Sequence, residues 1–249
     1  MIKLNENQYT SILRHLDKYT HSIPIIYSMI EGQFNPSIFV DDIEHAKWGI
    51  IFTPFDFHYM FGDPSSVNQT VLENLIKDYV VINNRPECMI FRPNDLFDPI
   101  LANIFTKFKG VKGNRVSFEF NQENFDCLTG EVDVKDIRLI YRIPEFGRIE
   151  NPVARIEQDS KRIAYANALM IGANEAEIDV RTLEDHRRKG YSYKCSIKLI
   201  RELIVKGLKP NWTCWQKKES SKALAKKLGF ENMTEIPAFI WVDQFGPIN

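Results

Sequence analysis

Apolar positions along this chain recur at two spacings, one helical and one strand-like, and the elements they predict form two similar series. In the first series Tyr9, Ile12, Leu13 and Leu16 mark a helix within residues 6–20, and a short helix is expected over 24–30. Three β-rich pieces follow at 37–40, 47–53 and 55–61, broken at Asp41-Asp42 and Pro54. Gly62-Asp63-Pro64-Ser65-Ser66 leads into a helix that carries Val71, Leu72, Leu75, Ile76 and Tyr79 on one face, with Asp63 or Ser65 as its cap. A strand over 87–91, a helix over 95–108, a turn at 110–113 and a strand over 115–120 complete the series.

The second series starts after a mixed stretch. Residues 123–128 read as a helix and 135–142 as a strand, and Pro144 and Gly147 mark a connector that is either a flap over a substrate or a plain linker. From Pro152 the pattern sharpens into a hairpin, 153–158 and 161–171, turning at Asp159-Ser160. Ala164, Ala166 and Ala168 thin one face of its second strand, as a closely packed helix or a ligand would require. Gly172-Ala173-Asn174 turns the chain into a strand over 176–183. Leu199, Ile200, Leu203, Ile204 and Leu208 then mark a helix. Pro210-Asn211 opens a short strand, 212–215, and Ser220 or Ser221 caps a last helix that Gly229 ends in a left-handed cap before a strand over 236–242. Strands and helices mixed in this way predict an α+β chain built on a mixed α/β sheet, with residues 1–125 as one half, 126–150 as a connector and 151–249 as the other.

Between the strand ending near 183 and the following helix lies Arg187-Arg188-Lys189-Gly190-Tyr191-Ser192. A helix N-terminus leaves backbone N–H groups without partners and adds partial positive charge, so anions bind there. These residues resemble the Arg/Gln-x-x-Gly-x-Gly/Ala loop with which GNAT N-acetyltransferases grip the pyrophosphate of acetyl-CoA. The order strand, loop, helix, short strand, then Ser221-x-x-Leu224-x-x-x-Leu228-Gly229-Phe230 resembles one GNAT branch, that of the zwittermicin A resistance acetyltransferases. The likeness covers the last hundred or so residues well and the first half loosely. It implies a GNAT acyl-CoA N-acyltransferase fold in the C-terminal half and a degenerate GNAT-like N-terminal half. In the N-terminal half Gly62-Asp63-Pro64 stands where the loop would be, with a negative charge where phosphate would bind.

The resemblance also implies site residues. The backbone of Val180, Arg181 and Thr182 would pair with the pantetheine arm, and Arg187, Arg188, Lys189, Gly190, Tyr191 and Ser192 would hold the diphosphate. Glu177 is the first candidate for the general base, with an ordinary surface acid as the plain alternative. Asp179 shares its strand parity and so its face. Two departures stand out: Ala225 occupies the position of the family's frequent Tyr proton donor, and Lys218 that of a frequent Asn. No general acid can therefore be assigned. A chain without that chemistry would instead be an acyl-CoA-binding sensor or interaction protein.

Composition narrows the field. The chain has 249 residues, 44% of them hydrophobic, enough for a substantial core. Its net charge of −1 gives no reason to expect nucleic-acid affinity. Between Arg181 and Lys227, however, Lys and Arg outnumber Asp and Glu roughly three to one, a field suited to phosphates, although Lys206, Lys226 and Lys227 also fit a solvated helix face. Cys88, Cys127, Cys195 and Cys214 lack the spacing of a zinc site or a secreted disulfide framework, so reduced thiols of a cytoplasmic protein without a metal are expected. No signal-peptide core and no membrane-length apolar run is present. Cys214 reads as a small buried hydrophobe rather than a nucleophile, His186 as a surface histidine beside the loop, and Trp212 and Trp215 as core. Taken together, acetyl-CoA and a small amine-bearing acceptor are the expected partners, with direct attack of the amine in a ternary complex. Acceptor identity and oligomeric state are not legible.

Overall fold

The computed structural model describes residues 1–246. In chain order its elements are β1 (Ile2–Lys3), α1 (Leu13–Leu16), α2 (Ile23–Ile30), β2 (Ser37–Val40), β3 (Trp48–Phe52), β4 (Phe57–Gly62), α3 (Gln69–Ile82), β5 (Glu87–Phe91) and α4 (Asp98–Lys107). They continue with β6 (Val111–Phe120), α5 (Gln122–Thr129), β7 (Arg138–Arg142), β8 (Asn151–Gln158), β9 (Lys161–Gly172), β10 (Glu175–Thr182), α6 (Tyr191–Val205), β11 (Lys209–Trp215), α7 (Glu219–Lys227) and β12 (Phe230–Val242).

Two compact units result, and they do not follow the linear boundaries at 125 and 151. The first takes Met1–His21, Phe34–Asn114 and the chain from Ile236 onward; the second takes Ser22–Gln33 and Arg115–Glu235. In the first unit the strands run β1-β2-β3-β4-β5-β12, every pair antiparallel except β4 with β5. In the second they run β7-β8-β9-β10-β11-β6, every pair antiparallel except β10 with β11. The two orders match strand for strand. Each parallel pair is joined by a crossover helix, α3 or α6, as parallel neighbours require. The strand over 115–120, expected to close the first half, closes the second unit, and β12 from residue 236 closes the first.

Local chemistry explains most elements. Asp159 and Ser160, with φ of 51° and 60°, make the two-residue left-handed turn that matches strand twist, and Ala173-Asn174 repeats it at 51° and 59°. Ala164, Ala166 and Ala168 are buried in one core with Leu199, Ile200 and Leu203 of α6, so a packed helix explains the thin face. Gly172 is fixed by the helix α2, because a Cβ there would lie 2.4 Å from the Ser28 nitrogen. That close approach helps tie α2 to the second unit rather than the first.

Several sequence expectations are corrected. Residues 6–12 form 3-10 turns, and only Leu13–Leu16 is α-helical. Asp63 caps its own short turn, whereas α3 is capped by Asn68, whose side chain accepts from the Val71 N–H at 3.1 Å. Strand β6 already begins at Val111, within the expected turn. Pro210 lies inside β11, and β12 begins at Phe230. Helix α7 starts after Lys218 with no side-chain cap, because Ser221 instead accepts from the Trp212 indole at 3.2 Å. No helix among the described residues is long and apolar enough to cross a membrane.

The first unit buries an unusual histidine. His58 has no solvent exposure, packs edge-on against Phe52 and Tyr79 at 5.0 and 4.9 Å, and has no hydrogen-bond partner at either ring nitrogen. Burial, with Arg85 nearby, pushes its pKa down to about 3. The folded state therefore keeps the ring neutral where the unfolded chain, with a pKa near 6.5, takes up a proton. Stability is fully present above the unfolded pKa and drains away as pH falls toward 3, by up to about 1.4 kcal/mol per pH unit. His58→Phe is expected to flatten this acid limb in urea titrations at pH 4.5 and 7.5; equal losses in both proteins would refute the account.

Candidate functional site

The second unit owes its cleft to a short ladder. β10 pairs with β11 only from Glu175/Lys209 to Glu177/Asn211, yet β10 runs on to Thr182 and β11 to Trp215. From Trp212 to Trp215, β11 pairs through its other edge with β6. Residues 178–182 and 212–215 therefore diverge. The wedge opens into a cleft of about 1190 Å3, lined by both strands and by the starts of α6 and α7. Unpaired strand edges carry rows of N–H and C=O groups with which an extended ligand can pair.

At the mouth of the wedge stands the loop singled out in the sequence. Arg188 and Gly190 have positive φ, 62° and 76°, and Gly190 is the residue from which α6 starts. A Cβ at Gly190 would meet nothing within 4 Å, so the helix N-terminus faces open space. Thr182 and Ser192 share a hydroxyl–hydroxyl hydrogen bond of 2.6 Å, which ties the end of β10 to the first turn of α6. Val180, Arg181, Thr182, Arg187, Arg188, Gly190, Tyr191 and Ser192 line the cleft, whereas Lys189 is exposed and lies outside the lining. Arg187 also pairs with Glu184 at 3.2 Å on the surface.

The charge is one-sided. Arg115, Arg181, Arg187, Arg188, Lys218 and Lys227 line the cleft, and among the described residues Asp179 is the only carboxylate that does. Lys227, which the sequence allowed as a solvated residue, belongs to this set. Such a concave basic surface focuses potential on an anion. Among the described residues, no group of three or more His, Cys, Asp or Glu could hold a metal ion.

Of the three carboxylates of β10, Glu175 accepts from Asn211 and Lys209, and Glu177 and Asp179 lie nearer the cleft. Asp179 lines the cleft; burial raises its pKa, opposed by a hydrogen bond from the Tyr165 hydroxyl. Glu177 is only 7% exposed and does not line the cleft. Its Oε1 accepts from the Thr213 hydroxyl, Thr213 itself lines the cleft, and Oε2 is buried without a partner. Burial raises the Glu177 pKa above the usual carboxylate range, and Thr213 and Arg115 partly oppose the rise.

Arg115, Thr213 and Tyr165 were not found from sequence. Arg115 lies on β6, about sixty residues before the motif region begins, and reaches the cleft only through the pairing of β6 with β11. Its Nη2 donates to Thr213 Oγ1 at 2.7 Å, and its guanidinium lies 5.4 Å from the Trp215 ring centre. Cys214 touches the cleft but is 7% exposed, and burial pushes its thiol up, so it holds little thiolate. Trp212 is core, Trp215 lines the cleft, and His186, expected at the surface, lines it too with Nδ1 buried. Ala225 is fully buried in the core.

The matching place in the first unit is filled. There β4 pairs with β5 over Phe57–Tyr59 and Met89–Phe91, and the Tyr19 hydroxyl donates to Met60 O at 2.6 Å and lies 3.4 Å from Phe91 O, where the strands would part. After β4, Asp63 accepts from the Ser65 N–H and hydroxyl at 2.9 and 2.8 Å, so the turn is already occupied by its own anion.

Comparison with known proteins finds the same fold elsewhere. Residues 154–239 match the family model GNAT acetyltransferase. An uncharacterized N-acetyltransferase of Bacillus subtilis, YdfB, is 23% identical over 94% of this chain and 95% of its own. A GCN5-related N-acetyltransferase-like protein from Streptococcus suis superposes with a TM-score of 0.69 at 17% identity, covering 94% of this chain and 98% of that one. A tandem GNAT protein of the clavulanic acid biosynthesis pathway superposes at 0.60 and 8% identity, covering 99% and 98%. The structural likenesses show the fold, a mixed α/β GNAT architecture over the whole chain, and the family model matches the C-terminal stretch that carries the cleft.

Proposed function

We propose that the chain is an acetyl-CoA-dependent N-acetyltransferase that passes the acetyl group to the amine of a small molecule by direct attack in a ternary complex. The reading rests on one observation above all. The wedge between β10 and β11 runs straight into the left-handed Gly190 at the start of α6, inside a lining of six cations and one carboxylate. Backbone edges at 180–182 suit an extended amide-bearing arm, and the N–H groups of the first turn of α6 suit a diphosphate. A small acceptor, rather than a protein, follows from the resemblance of the α7 segment to the zwittermicin A resistance branch.

The chemistry asks little of the side chains. The acceptor nitrogen must reach the thioester carbonyl as a neutral amine, at about 3–3.5 Å. A carboxylate of raised proton affinity removes the proton, and the departing thiolate takes one from solvent, since Ala225 is buried and offers none. The first unit is a degenerate copy without a CoA site, a reading supported by Tyr19 between its strands and Asp63 in its turn.

Calorimetry with CoA is expected to give one site per chain. Gly190→Trp, whose side chain would project into open space, is expected to weaken that binding by about tenfold or more, or roughly 1.4 kcal/mol, and to lower thermal stability modestly, by about 1–2 kcal/mol, because Gly190 is left-handed. Colorimetric thiol release from acetyl-CoA across a panel of amines should require an amine and vanish in the variant. Tight CoA binding without release on any amine would point to a sensor instead, and two CoA sites per chain would overturn the reading of the first unit.

A further inference from the structure

Glu177, the carboxylate of strongest sequence likeness to a base, stands behind the cleft rather than in it. Its buried Oε2 has no partner, and its Oε1 is held by a hydroxyl that does face the cleft. We infer that the Thr213 hydroxyl is a proton relay that carries the acceptor's proton from the cleft to Glu177. The inference rests on the transferase reading above and names a residue that the motif region does not reveal.

The direction of the hydrogen bonds is forced. Arg115 Nη2 can only donate, so Thr213 Oγ1 accepts from it and its one proton is left for Glu177 Oε1. A hydroxyl oxygen has two acceptor positions, and Arg115 takes one. The second is left for an N–H entering from the cleft. An ammonium there breaks one N–H bond, and that proton joins Thr213 Oγ1. Thr213's own proton passes to the Glu177 carboxylate. The freed lone pair forms the N–C bond, and as the C–S bond breaks the nitrogen gives up its second proton to solvent while solvent returns one to the departing thiolate, which leaves a neutral amide and a free thiol. Glu177 returns its proton by the same route reversed.

The surroundings suit the receiving end. Taking Glu177 out of water, with Oε2 undonated, disfavours its charge and so strengthens it as a proton acceptor. The charged groups that act on it are Arg115 from β6, which tempers that gain, and Asp179 from its own strand, which adds slightly to it. Arg115, which also lines the cleft, serves here as a positioning residue that turns the Thr213 hydroxyl toward Glu177.

The test uses the full chain, acetyl-CoA and the panel amine that releases thiol fastest. Thr213→Val is expected to lower kcat by about a hundredfold or more, in line with loss of general base catalysis, and Thr213→Ser to restore most of it. Glu177→Gln should lose a similar factor, and the double variant should lose no more than either alone, because the two act in series. The acid limb of the kcat profile should vanish in Thr213→Val, an effect that a packing defect would not produce. Calorimetric CoA binding at wild-type strength shows that each variant is folded. Should Thr213→Val turn over normally while Asp179→Asn does not, the relay is wrong and Asp179 takes the proton directly. Wild type that binds CoA but releases thiol with no amine overturns the transferase reading and the relay together.

Discussion

Everything at the site follows from a ladder that stops early. Parallel pairing between β10 and β11 holds for three residue pairs and then gives way, because β11 spends its remaining length pairing through its other edge with β6. A sheet that lets two neighbours part leaves unsatisfied backbone groups, which are costly unless water or a ligand meets them. The cleft is the place where that requirement is met from outside. Loop, cations and carboxylates are arranged around it, and the bond between Thr182 and Ser192 keeps the strand end and the helix start in register.

The first unit shows the other solution to the same problem. Its central parallel pair is equally short, but a hydroxyl of the protein's own, from Tyr19, donates to the Met60 carbonyl and sits beside that of Phe91 where the strands would open. His21, pushed down to about 4 by burial, packs edge-on against Tyr19 at 5.3 Å and helps fill the space. Two copies of one architecture thus differ in whether the gap is offered to a ligand or filled by the chain. The difference lies in a few residues rather than in the fold.

Element types were largely legible, since the 3.6 and 2.0 periodicities are local and strong in stretches such as 161–171 and 195–204. The loop before α6 was legible for the same reason: Arg187 to Ser192 is contiguous, and Gly190 has a conformation that its identity announces. What escaped was long-range. Nothing local in Arg115 or Thr213 says that they meet; each looks like a strand residue until β6 and β11 are paired. Parity offered Glu177 and Asp179 as equals, yet could not tell that of the two Asp179 lines the cleft and Glu177 does not. Tyr19 looked like the end of a helix, because a residue that fills a gap is defined by the gap. Asn68 was overlooked as a cap because Asp63 and Ser65 offered the same chemistry a few residues earlier, and their hydrogen bonds serve their own turn.

The interleaving of the two units has a consequence for how the protein comes into being. Ser22–Gln33 belongs with partners more than a hundred residues downstream, and the first unit closes only with β12. Chains normally complete their N-terminal domain while the rest is still being synthesised. Here α2 lies far upstream in sequence of the strands it packs on, and the first unit needs β12 from a distant part of the chain. Neither unit is continuous in the chain, so cutting the sequence at one point would not release either of them whole.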